Sequence, residues 1–443
     1  MSKWVIVVPG IMGSSLELDG DEIWPPSLWD VVTGYDRIAD LMDDKVQVGT
    51  IIYSVSIKSI YRSLVNDVQA CGYQEHGADR RLIEFPYDWR RSNSRTAGLL
   101  AKLLDDITHD GLPDDITFVA HSMGGLVVRR LLESGEYDDR AWFPMIHRLI
   151  TFGTPHFGAP LATARLLGKE KVLGVAGKDI VRLASDPRYP SSYELAGPAG
   201  TAFTLDIPGR GSLPKPLDRF STQYAKILKL AAANITAGNE FWSHLGLERR
   251  PGGVEYFFIG GGAHSTTTAC ATDGTAFDRT ETKSAGDGTV PVASAIVWDI
   301  PHLYSSKEHA RVFEDRSARQ ALYEFLDAPA GVHPQAADSD QPVGQAGVVG
   351  LSVDQADYRV DEPIEIVVSY ATPIDQPIEA LWLERLHESD PAEPIDSVNI
   401  SLDAPGVSNL VVTIGPHLTP GVYRLRSQRP TDDPEHTIFR VVA

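Results

Sequence analysis

The chain has 443 residues, of which 42% are hydrophobic, so it can bury a large core and is expected to form two domains. Sixty acidic residues against 40 basic ones give a net charge of −20. This charge argues against nucleic acid as a partner and against a strongly anionic membrane surface. Cys71 and Cys270 lie far apart without a CxxC pattern, so neither a disulfide framework nor a cysteine zinc site is expected.

The apolar run near the start of the chain is short and ends at Pro9, so we interpret it as a first strand rather than as a signal peptide. No apolar run is long enough to cross a bilayer. We therefore expect a cytoplasmic protein. On that expectation, the Asn-x-Ser/Thr triplets at Asn234 and Asn399 are chance matches.

Apolar runs of strand length alternate with helical patterns over residues 1–328. The predicted strands are 4–8, 81–85, 115–120, 148–152, 254–259 and 302–305. The predicted helices between and after them are 58–70, 96–108, 123–134 and 316–326. This alternation predicts a mostly parallel sheet with helices on both faces.

Two segments depart from this alternation. Residues 159–253 contain helical patterns at 162–173 and 220–233 that are interrupted by Pro and Gly, which predicts a cap inserted over the sheet. Residues 329–346 are rich in Pro, Ala and Asp, which predicts a linker. From 347 to 443 the period becomes two, which predicts a β-sandwich domain of immunoglobulin-like type.

Ser122 lies between the predicted strand 115–120 and a helix that begins at the next residue. A strand, tight turn and helix around a serine form the nucleophile elbow of the α/β-hydrolase fold. The residues two before and two after that serine must be small, and Ala120 and Gly124 meet this requirement, although Ala120 replaces the first glycine of GxSxG. Such a serine needs a histidine to take its proton and a carboxylate to orient the imidazole.

The α/β-hydrolase chain order is serine, acid, histidine. Asp287 lies in a glycine-flanked loop, and His309 follows the predicted strand 302–305, so these two residues are the expected acid and base. His302 is less favoured as the base because it lies within that strand, and His264 is less favoured because it precedes the acid. The competing acids, interpreted as solvated surface, are Asp273 and Asp278 in a polar loop, and Asp299.

Acyl transfer also needs hydrogen-bond donors for the oxyanion. The backbone N–H of Met123, at the start of the elbow helix, is one expected donor. The backbone N–H of Ile11, in the glycine-rich loop after the first strand, is the other. The alternative is that these glycines only make a turn.

Six motifs occur in order along the chain, and together they carry a family resemblance. They are Val8-Pro-Gly10 with Gly13, Phe85-Pro-Tyr-Asp-Trp-Arg90, His121-Ser-Met-Gly-Gly125, Thr151-Phe-Gly-Thr-Pro-His-Phe-Gly158, Pro190-Ser-Ser-Tyr-Glu-Leu195 and Gly286-Asp-Gly-Thr-Val-Pro291. Over most of residues 4–326 the chain resembles the lecithin:cholesterol acyltransferase-like family of α/β-hydrolases.

The resemblance implies Ser122, Asp287 and His309 as nucleophile, acid and base. It implies Ile11 and Met123 as oxyanion donors. It also implies cleavage of an acyl ester, often of a phospholipid, through an acyl-serine whose acyl group passes to water or an alcohol. Such chemistry needs no metal or organic cofactor. The secreted members carry a signal and disulfides, which are not expected here, and the predicted β-sandwich is not part of the family core.

Several other residues carry hypotheses about the substrate. Trp24 and Trp29 follow the first strand and are candidates for contact with a lipid surface or the acyl pocket, with core packing as the alternative. His156 either lines the pocket or is a satisfied loop histidine. Residues 88–90 are interpreted as an ion-paired structural loop rather than as a head-group site.

The leading hypothesis is a serine esterase, lipase or phospholipase, with acyltransferase activity as an extension and a peripheral membrane contact. The alternative from another class is a catalytically idle scaffold that acts through the β-sandwich by binding a protein partner. Amidase or peptidase activity would use the same three side chains, and only the acyl pocket would discriminate them.

Overall fold

The computed structural model describes residues 2–55, 58–198, 204–205, 226, 228–273, 276–334, 348–353, 357–374, 378–386, 393–401, 407–415, 418–427 and 436–442. The chain divides into two compact units. The first comprises Met1–Pro25, Asp36–Val55 and Ser59–Pro334, and the second comprises Pro26–Tyr35, Ser56–Lys58 and Gln335–Ala443.

The elements are numbered in chain order. Strands up to the end of the first unit are β1 Lys3–Val8, β2 Ser14–Leu18, β3 Asp21–Trp24, β4 Gln47–Ile51, β5 Ser54–Val55, β6 Lys58–Ser59, β7 Arg80–Glu84, β8 Asp115–His121, β9 Ile146–Phe152, β10 Thr204–Leu205, β11 Glu255–Gly261, β12 His264–Thr272, β13 Phe277–Gly286 and β14 His302–Ser305. The α-helices are α1 Leu28–Thr33, α2 Arg62–Ala70, α3 Asn93–Ile107, α4 Met123–Glu133, α5 Pro160–Leu166, α6 Gly177–Ala184, α7 Ser191–Leu195, α8 Ala232–Ser243, α9 Val292–Ala295 and α10 Arg316–Phe325. Short 3₁₀ helices lie at Asp40–Met42, Phe143–Met145, Leu247–Arg249 and His309–Glu314.

A six-stranded parallel sheet in the order β14-β11-β9-β8-β1-β7 forms the centre of the first unit. Each of its strands was predicted from the sequence, with ends that differ by one or two residues. The inner strands β1 and β8 are buried on both faces, which is why they appear in the sequence as continuous apolar runs. The predicted parallel sheet is therefore confirmed.

Helices flank this sheet. Leu64 and Val68 of α2 and Leu322 of α10 share a buried cluster with Val5 and Val7 of β1. Helix α4 is buried at every residue and packs against β1, β8 and β9, while α3 packs against α4. Because the carboxyl ends of parallel strands meet at one edge of the sheet, the loops after β1, β8, β9, β11 and β14 are neighbours.

The segment between β9 and β11 carries α5 to α8 and β10. The helix predicted at 162–173 is shorter than expected, because α5 ends at Leu166 before Gly168, whose φ is 68°. The helix predicted at 220–233 lies largely outside the described residues, and α8 begins only at Ala232. The role of this segment as a cap stays a prediction.

Asp273 lies in the bend after β12, as predicted, but Asp278 lies in β13, which pairs antiparallel with β12, so the loop predicted at Asp278 is wrong. The residues of β13 are almost all exposed. A strand with no buried face has no alternation of apolar and polar residues, so its periodicity could not predict it.

The described residues of the second unit form two β-sheets. Its strands are β15 Val348–Val353, β16 Asp357–Arg359, β17 Ile364–Ile374, β18 Ile378–Leu386, β19 Glu393–Ser401, β20 Val407–Ile414, β21 Gly421–Ser427 and β22 His436–Val442. The sheet orders are β15-β17-β20 and β16-β22-β21-β18-β19, and among the described residues the pairs are antiparallel except β16 with β22. Ile366 of one sheet and Leu383 and Phe439 of the other belong to one buried cluster. The predicted linker lies mostly outside the described residues.

None of the helices that the structure describes has the length and apolar character needed to cross a membrane.

Candidate active site

Ser122 lies in the tight turn between β8 and α4, with φ 52° and ψ −126°. A side chain other than glycine is strained in this region of φ, so the surroundings must hold the turn in place. The N–H of Ser122 donates to the carbonyl of Phe152 at 2.8 Å, and the carbonyl of Ser122 accepts from the Thr154 hydroxyl at 2.9 Å. Both partners lie at or just after the end of β9, so the neighbouring strand fixes the turn.

Two glycines allow the loop after β1 to approach this turn. A Cβ on Gly124 would lie 2.4 Å from the carbonyl oxygen of Val8 and 2.5 Å from that of Pro9. A Cβ on Gly10 would lie 2.7 Å from the Cβ of Ser122. These contacts give the physical reason for small residues in the first and third motifs.

The structure brings Ser122, His309 and Asp287 together. His309 Nε2 lies 2.9 Å from Ser122 Oγ, and His309 Nδ1 lies 2.7 Å from Asp287 Oδ2. Ser122 and Asp287 are buried, and His309 is partly exposed. Because ionised Asp287 can only accept a hydrogen bond, Nδ1 carries the imidazole proton and Nε2 is left to accept the proton of the serine.

The loop that carries Asp287 holds its carboxylate in place. The backbone N–H groups of Thr289 and Val290 donate to Oδ1 at 2.9 and 2.7 Å, and the N–H of His309 donates to the backbone carbonyl of Asp287 at 2.8 Å. Burial raises the pKa of Asp287, but His309 and these two donors outweigh it, so the pKa lies below its ordinary value. The carboxylate is therefore ionised at neutral pH.

Gly153, in the fourth motif, lies against the acid and the base. Its φ is 58°, and a Cβ there would lie 3.0 Å from Asp287 Oδ2 and 3.1 Å from His309 Nδ1. A larger residue would be strained and would press on this hydrogen bond. Our sequence reasoning missed this role, although a glycine directly after a strand was a usable signal.

A buried hydrogen-bond chain runs behind the base. The N–H of Gly10 donates to Tyr61 Oη at 2.7 Å, Tyr61 Oη lies 2.7 Å from His121 Nδ1, and His121 Nε2 lies 2.9 Å from the carbonyl oxygen of His309. Because that carbonyl can only accept, Nε2 carries the proton and Nδ1 accepts from the Tyr61 hydroxyl. Burial and the neighbouring His309 lower the pKa of His121 to about 3, so it stays neutral.

Neither Tyr61 nor His121 was singled out from the sequence. The position of His121 directly before Ser122 was a signal that could have found it. Tyr61 lies in a distant part of the chain, and its pattern there is that of an ordinary buried residue before α2.

Both expected oxyanion donors are unpaired. Ile11 follows Gly10, and Met123 is the first residue of α4. Within the described part of the chain, neither backbone N–H donates to an acceptor. A free N–H at a helix N-terminus beside the serine is the arrangement that an oxyanion hole requires.

The competing histidines and acids lie elsewhere. His302 Nδ1 contacts the carbonyl of Ile300 at 2.7 Å, and His264 Nε2 contacts that of Ser306 at 3.0 Å. Asp273, Asp278 and Asp299 are exposed. None of these side chains forms a hydrogen bond with Ser122 or His309.

The three candidate substrate contacts have different surroundings. Trp24 is fully buried, donates from Nε1 to the carbonyl of Met12 at 3.1 Å, and packs on Trp89, so it has no exposed surface for a lipid layer. His156 is also fully buried and stacks on Phe258, which favours the alternative of a satisfied loop histidine. Trp29 is partly exposed in α1 of the second unit.

A small pocket, open to solvent, adjoins the loop that carries Ile11. Ile11 and Met12 line it together with mostly apolar side chains, including Trp24, Ile38, Leu41, Trp89, Ile180 and Leu183. Arg90 also lines the pocket. Its guanidinium pairs with Asp88 at 2.7 Å, which agrees with the ion-paired loop expected at residues 88–90. The Ile11 loop therefore lies between Ser122 and an apolar pocket.

Among the described residues, no group of three or more His, Cys, Asp or Glu side chains is arranged to hold a metal ion.

The parallel sheet and the serine at a strained strand-to-helix turn show that this chain has an α/β-hydrolase-like fold. A solved structure supports this class: a crystal structure of a Tle4–Tli4 complex matches with 13% identity and a TM-score of 0.52, covering 75% of this chain and 99% of that chain. A protein from Listeria innocua, the lin2722 product, matches with 12% identity and a TM-score of 0.32 over 74% of this chain and 94% of its own. No curated protein sequence matches this chain.

The family described as lecithin:cholesterol acyltransferase matches residues 48–177. This match confirms the resemblance that the motifs indicated. The matched range contains Ser122 and Gly153, whereas Asp287 and His309 lie outside it.

Proposed function

We propose that this protein is a serine-dependent acyl-ester hydrolase of lipase or phospholipase type. The observation that carries the proposal is the unbroken hydrogen-bond chain from Asp287 through His309 to Ser122. A strained serine, an imidazole facing it and a buried carboxylate behind are the parts that nucleophilic acyl transfer needs.

In the proposed mechanism, Ser122 Oγ attacks the ester carbonyl carbon while His309 Nε2 takes the hydroxyl proton. The carbonyl oxygen becomes an oxyanion, which accepts hydrogen bonds from the N–H groups of Ile11 and Met123. As the intermediate collapses, the bond to the alcohol breaks, and His309 returns the proton to the leaving oxygen. Water, or a second alcohol, then attacks the acyl-serine with His309 again as the base.

An apolar pocket beside the Ile11 loop supports a lipid-like substrate. Burial of a hydrocarbon chain contributes roughly 0.8 kcal/mol per methylene group, so an apolar pocket favours chains over polar peptides. The family resemblance favours the same substrate class, because the match is to an acyltransferase of lipids by its description. Transfer to an alcohol instead of water stays a prediction.

A fluorophosphonate probe tests the proposal directly, because it reacts only with an activated serine. We expect labelling of the wild-type protein and of Ser243→Ala, an exposed control serine, but no labelling of Ser122→Ala. Ester hydrolysis in Ser122→Ala should fall by roughly 10⁶-fold. Equal labelling of Ser122→Ala and the wild type would refute the proposed nucleophile.

For the second unit we propose the immunoglobulin-like architecture expected from its sequence. Two mostly antiparallel sheets with a shared core support it. The hydroxyl of Tyr423 also donates to the carbonyl of Thr419 at 2.7 Å, a short upstream contact like the tyrosine corner of such domains. A protein partner for this unit and the cytoplasmic location stay predictions from the sequence.

A further inference from the structure

The hairpin of β12 and β13 lies in the chain between β11 and the proposed acid. Strand β13 ends at Gly286, so Asp287 is the first residue after the hairpin. No step of the proposed mechanism uses the hairpin. Its open end, where β12 begins and β13 ends, nevertheless adjoins one of the three side chains of the proposed site.

The pairing of the two strands is irregular at this open end. Between the pair of His264 with Gly286 and the pair of Thr266 with Thr282, β13 has three residues where β12 has one. Ser284, within this bulge, has a φ of 53°, in a region that side chains other than glycine rarely adopt. Bulges bend a strand, and they are frequent beside active sites. The bulge therefore sets the direction in which the chain enters the acid.

Thr266 contacts the chain on both sides of the acid. Its Oγ1 accepts a hydrogen bond from the N–H of Gly288 at 2.9 Å and donates to the carbonyl of His264 at 3.0 Å. A Cβ on Gly286 would lie 2.7 Å from this oxygen and 2.8 Å from the threonine methyl group, so the side chain also packs on the residue before the acid. Thr266 is 1% exposed, so its hydroxyl is fixed by these neighbours rather than by water.

Three successive N–H groups of the turn after the hairpin have two different acceptors. The N–H of Gly288 donates to Thr266, whereas those of Thr289 and Val290 donate to Oδ1 of Asp287. Thr266 thus fixes the first peptide of the turn, and the next two peptides hold the carboxylate. Because each peptide unit is planar and shares a Cα atom with the next, a rotation of the first peptide displaces the other two. The carboxylate would then move relative to the imidazole.

We propose that Thr266 is a positioning residue for the reaction, and that its hydroxyl orients the Asp287 carboxylate toward His309 by holding the turn after the hairpin. The inference rests on the proposed function, because it concerns the acid and the base of that site. Thr266 acts through the backbone of the turn and not on the reacting atoms. The hairpin thus contributes to the alignment of the proposed site, and its open end is the part that does so.

Substitution of Thr266 tests this assignment by steady-state kinetics on a p-nitrophenyl ester. Thr266→Val keeps the shape of the side chain but places a methyl group against the N–H of Gly288. Gly288 is exposed, so its N–H regains a partner by turning toward water, which rotates the peptide that follows the acid. We expect kcat to fall by about tenfold while KM stays nearly unchanged, because the alignment of the catalytic groups is lost and substrate contacts are kept.

Two further variants separate the hydroxyl group from general stability. Thr266→Ser keeps the hydroxyl and should retain most of the wild-type kcat. Thr268→Val is the matched control on the same strand, since its hydroxyl contacts the carbonyl of Thr280 and the hydroxyl of Thr282 within the hairpin, and its kcat should equal that of the wild type. A normal kcat in Thr266→Val, even with a lower melting temperature, would overturn the inference, as would an equal loss of kcat in Thr266→Ser.

A measurement on the acid and base themselves separates this inference from the proposed function. A hydrogen bond from imidazole to carboxylate shifts its proton to low field in the NMR spectrum, so the Nδ1 proton of His309 can be observed in the Ser122→Ala protein and identified by its loss when Asp287→Asn is added. Adding Thr266→Val should move this resonance to higher field, whereas adding Thr266→Ser or Thr268→Val should not.

That result supports the positioning role even if Ser122 is not labelled by the fluorophosphonate, because it does not depend on the nucleophile. A resonance that Thr266→Val leaves unchanged contradicts the positioning role even if Ser122 is labelled.

Discussion

The position of the His309 ring depends on residues on both sides of it. On one side, the Asp287 carboxylate accepts a hydrogen bond from the His309 imidazole. On the other side, His121 contacts the backbone carbonyl of His309. Tyr61 connects His121 to Gly10, which lies against Ser122. The nucleophile loop and the base loop are therefore held by one buried chain of neutral hydrogen bonds, which we assign to positioning rather than to proton transfer.

Replacing Tyr61 tests this assignment. Tyr61→Phe removes the donor to His121 Nδ1 and the acceptor of the Gly10 N–H, and a buried group left unpaired costs about 1–3 kcal/mol. If the loss of these hydrogen bonds displaces the His309 ring from its position beside Ser122, kcat falls by roughly 10- to 100-fold while KM changes little. The measurement is steady-state kinetics on a p-nitrophenyl ester.

Tyr53→Phe is the matched control, because the Tyr53 hydroxyl donates to Glu84 and not to any residue of this chain of contacts. Its kcat should equal that of the wild type. A Tyr61→Phe variant that is less stable but has a normal kcat would show that Tyr61 contributes to stability alone.

At the scale of elements, the turn between β8 and α4 requires close contact between two backbones. Gly124 lets the first turn of α4 lie against the carbonyl groups of Val8 and Pro9 at the end of β1. The oxyanion loop and the serine turn are thus packed directly on each other. A change in this packing moves the two proposed donors, Ile11 and Met123, relative to Ser122.

Gly124→Ala should therefore abolish most activity. The new Cβ would meet backbone oxygens 2.4 and 2.5 Å away, which cannot rotate aside, so β1 or α4 must shift. We expect a loss of kcat/KM of at least about 100-fold, since misplacement by an ångström has such effects. Kinetics and circular dichroism of the purified variant would show whether activity falls while the fold is kept.

Gly98→Ala in α3 is the control for this helix substitution. Its nearest neighbour would be the Tyr137 hydroxyl at 3.5 Å, which is ordinary contact. Alanine in a helix interior is favoured over glycine by about 0.5–1 kcal/mol, so this variant should be fully active and slightly more stable. Similar losses in both variants would contradict the contact with β1 as the cause.

The sequence was sufficient to predict the elements that bury continuous apolar faces. The strands of the parallel sheet and the turn at Ser122 belong to this group, because burial on both faces leaves a strong pattern. It was insufficient for β12 and β13, which are rich in threonine and charge, and for the small sheet of β2, β3 and β4. Hairpins at the surface carry little apolar periodicity.

The residues of the site show the same division. Ser122, Asp287 and His309 could be selected because each lies in a local pattern of turn or loop residues. Tyr61 could not, because its contact with His121 joins positions 60 residues apart and depends on how α2 packs. Long-range contacts of this kind are set by tertiary packing, which local sequence does not encode.

For the whole molecule, Glu194 is a point where several helices meet. Its carboxylate accepts from the Ser92 hydroxyl and the Asn93 N–H, both at 2.7 Å, and its backbone carbonyl accepts from Trp242 Nε1 at 2.8 Å. The side chain is fully buried. Burial raises the pKa of Glu194 to about 7 against the opposing effect of these hydrogen bonds.

This raised pKa predicts a pH dependence of global stability. Between the unfolded pKa of 4.5 and about 7, the folded protein binds more protons than the unfolded chain, so the free energy of unfolding falls as pH rises. Relative to Glu194→Gln, the wild type should lose on the order of 1–3 kcal/mol between pH 4.5 and 8. Urea unfolding at several pH values measures the difference.

Glu240→Gln, at an exposed position of α8, is the control and should keep the pH dependence of the wild type. A Glu194→Gln protein whose stability changes with pH as the wild type does would contradict the assignment to this carboxyl group.

The order of strands in the sheet has a consequence for heating. The proposed base follows β14, which is four residues long and lies at the end of the sheet, paired with β11. Edge segments open locally at a smaller free energy than the centre, where β1 and β8 carry the loops of Ile11 and Ser122. Loss of activity on heating should thus begin below the unfolding temperature, because His309 moves away from Ser122 when β14 opens. Activity should return on cooling, because Ser122 stays in its folded strand-to-helix turn.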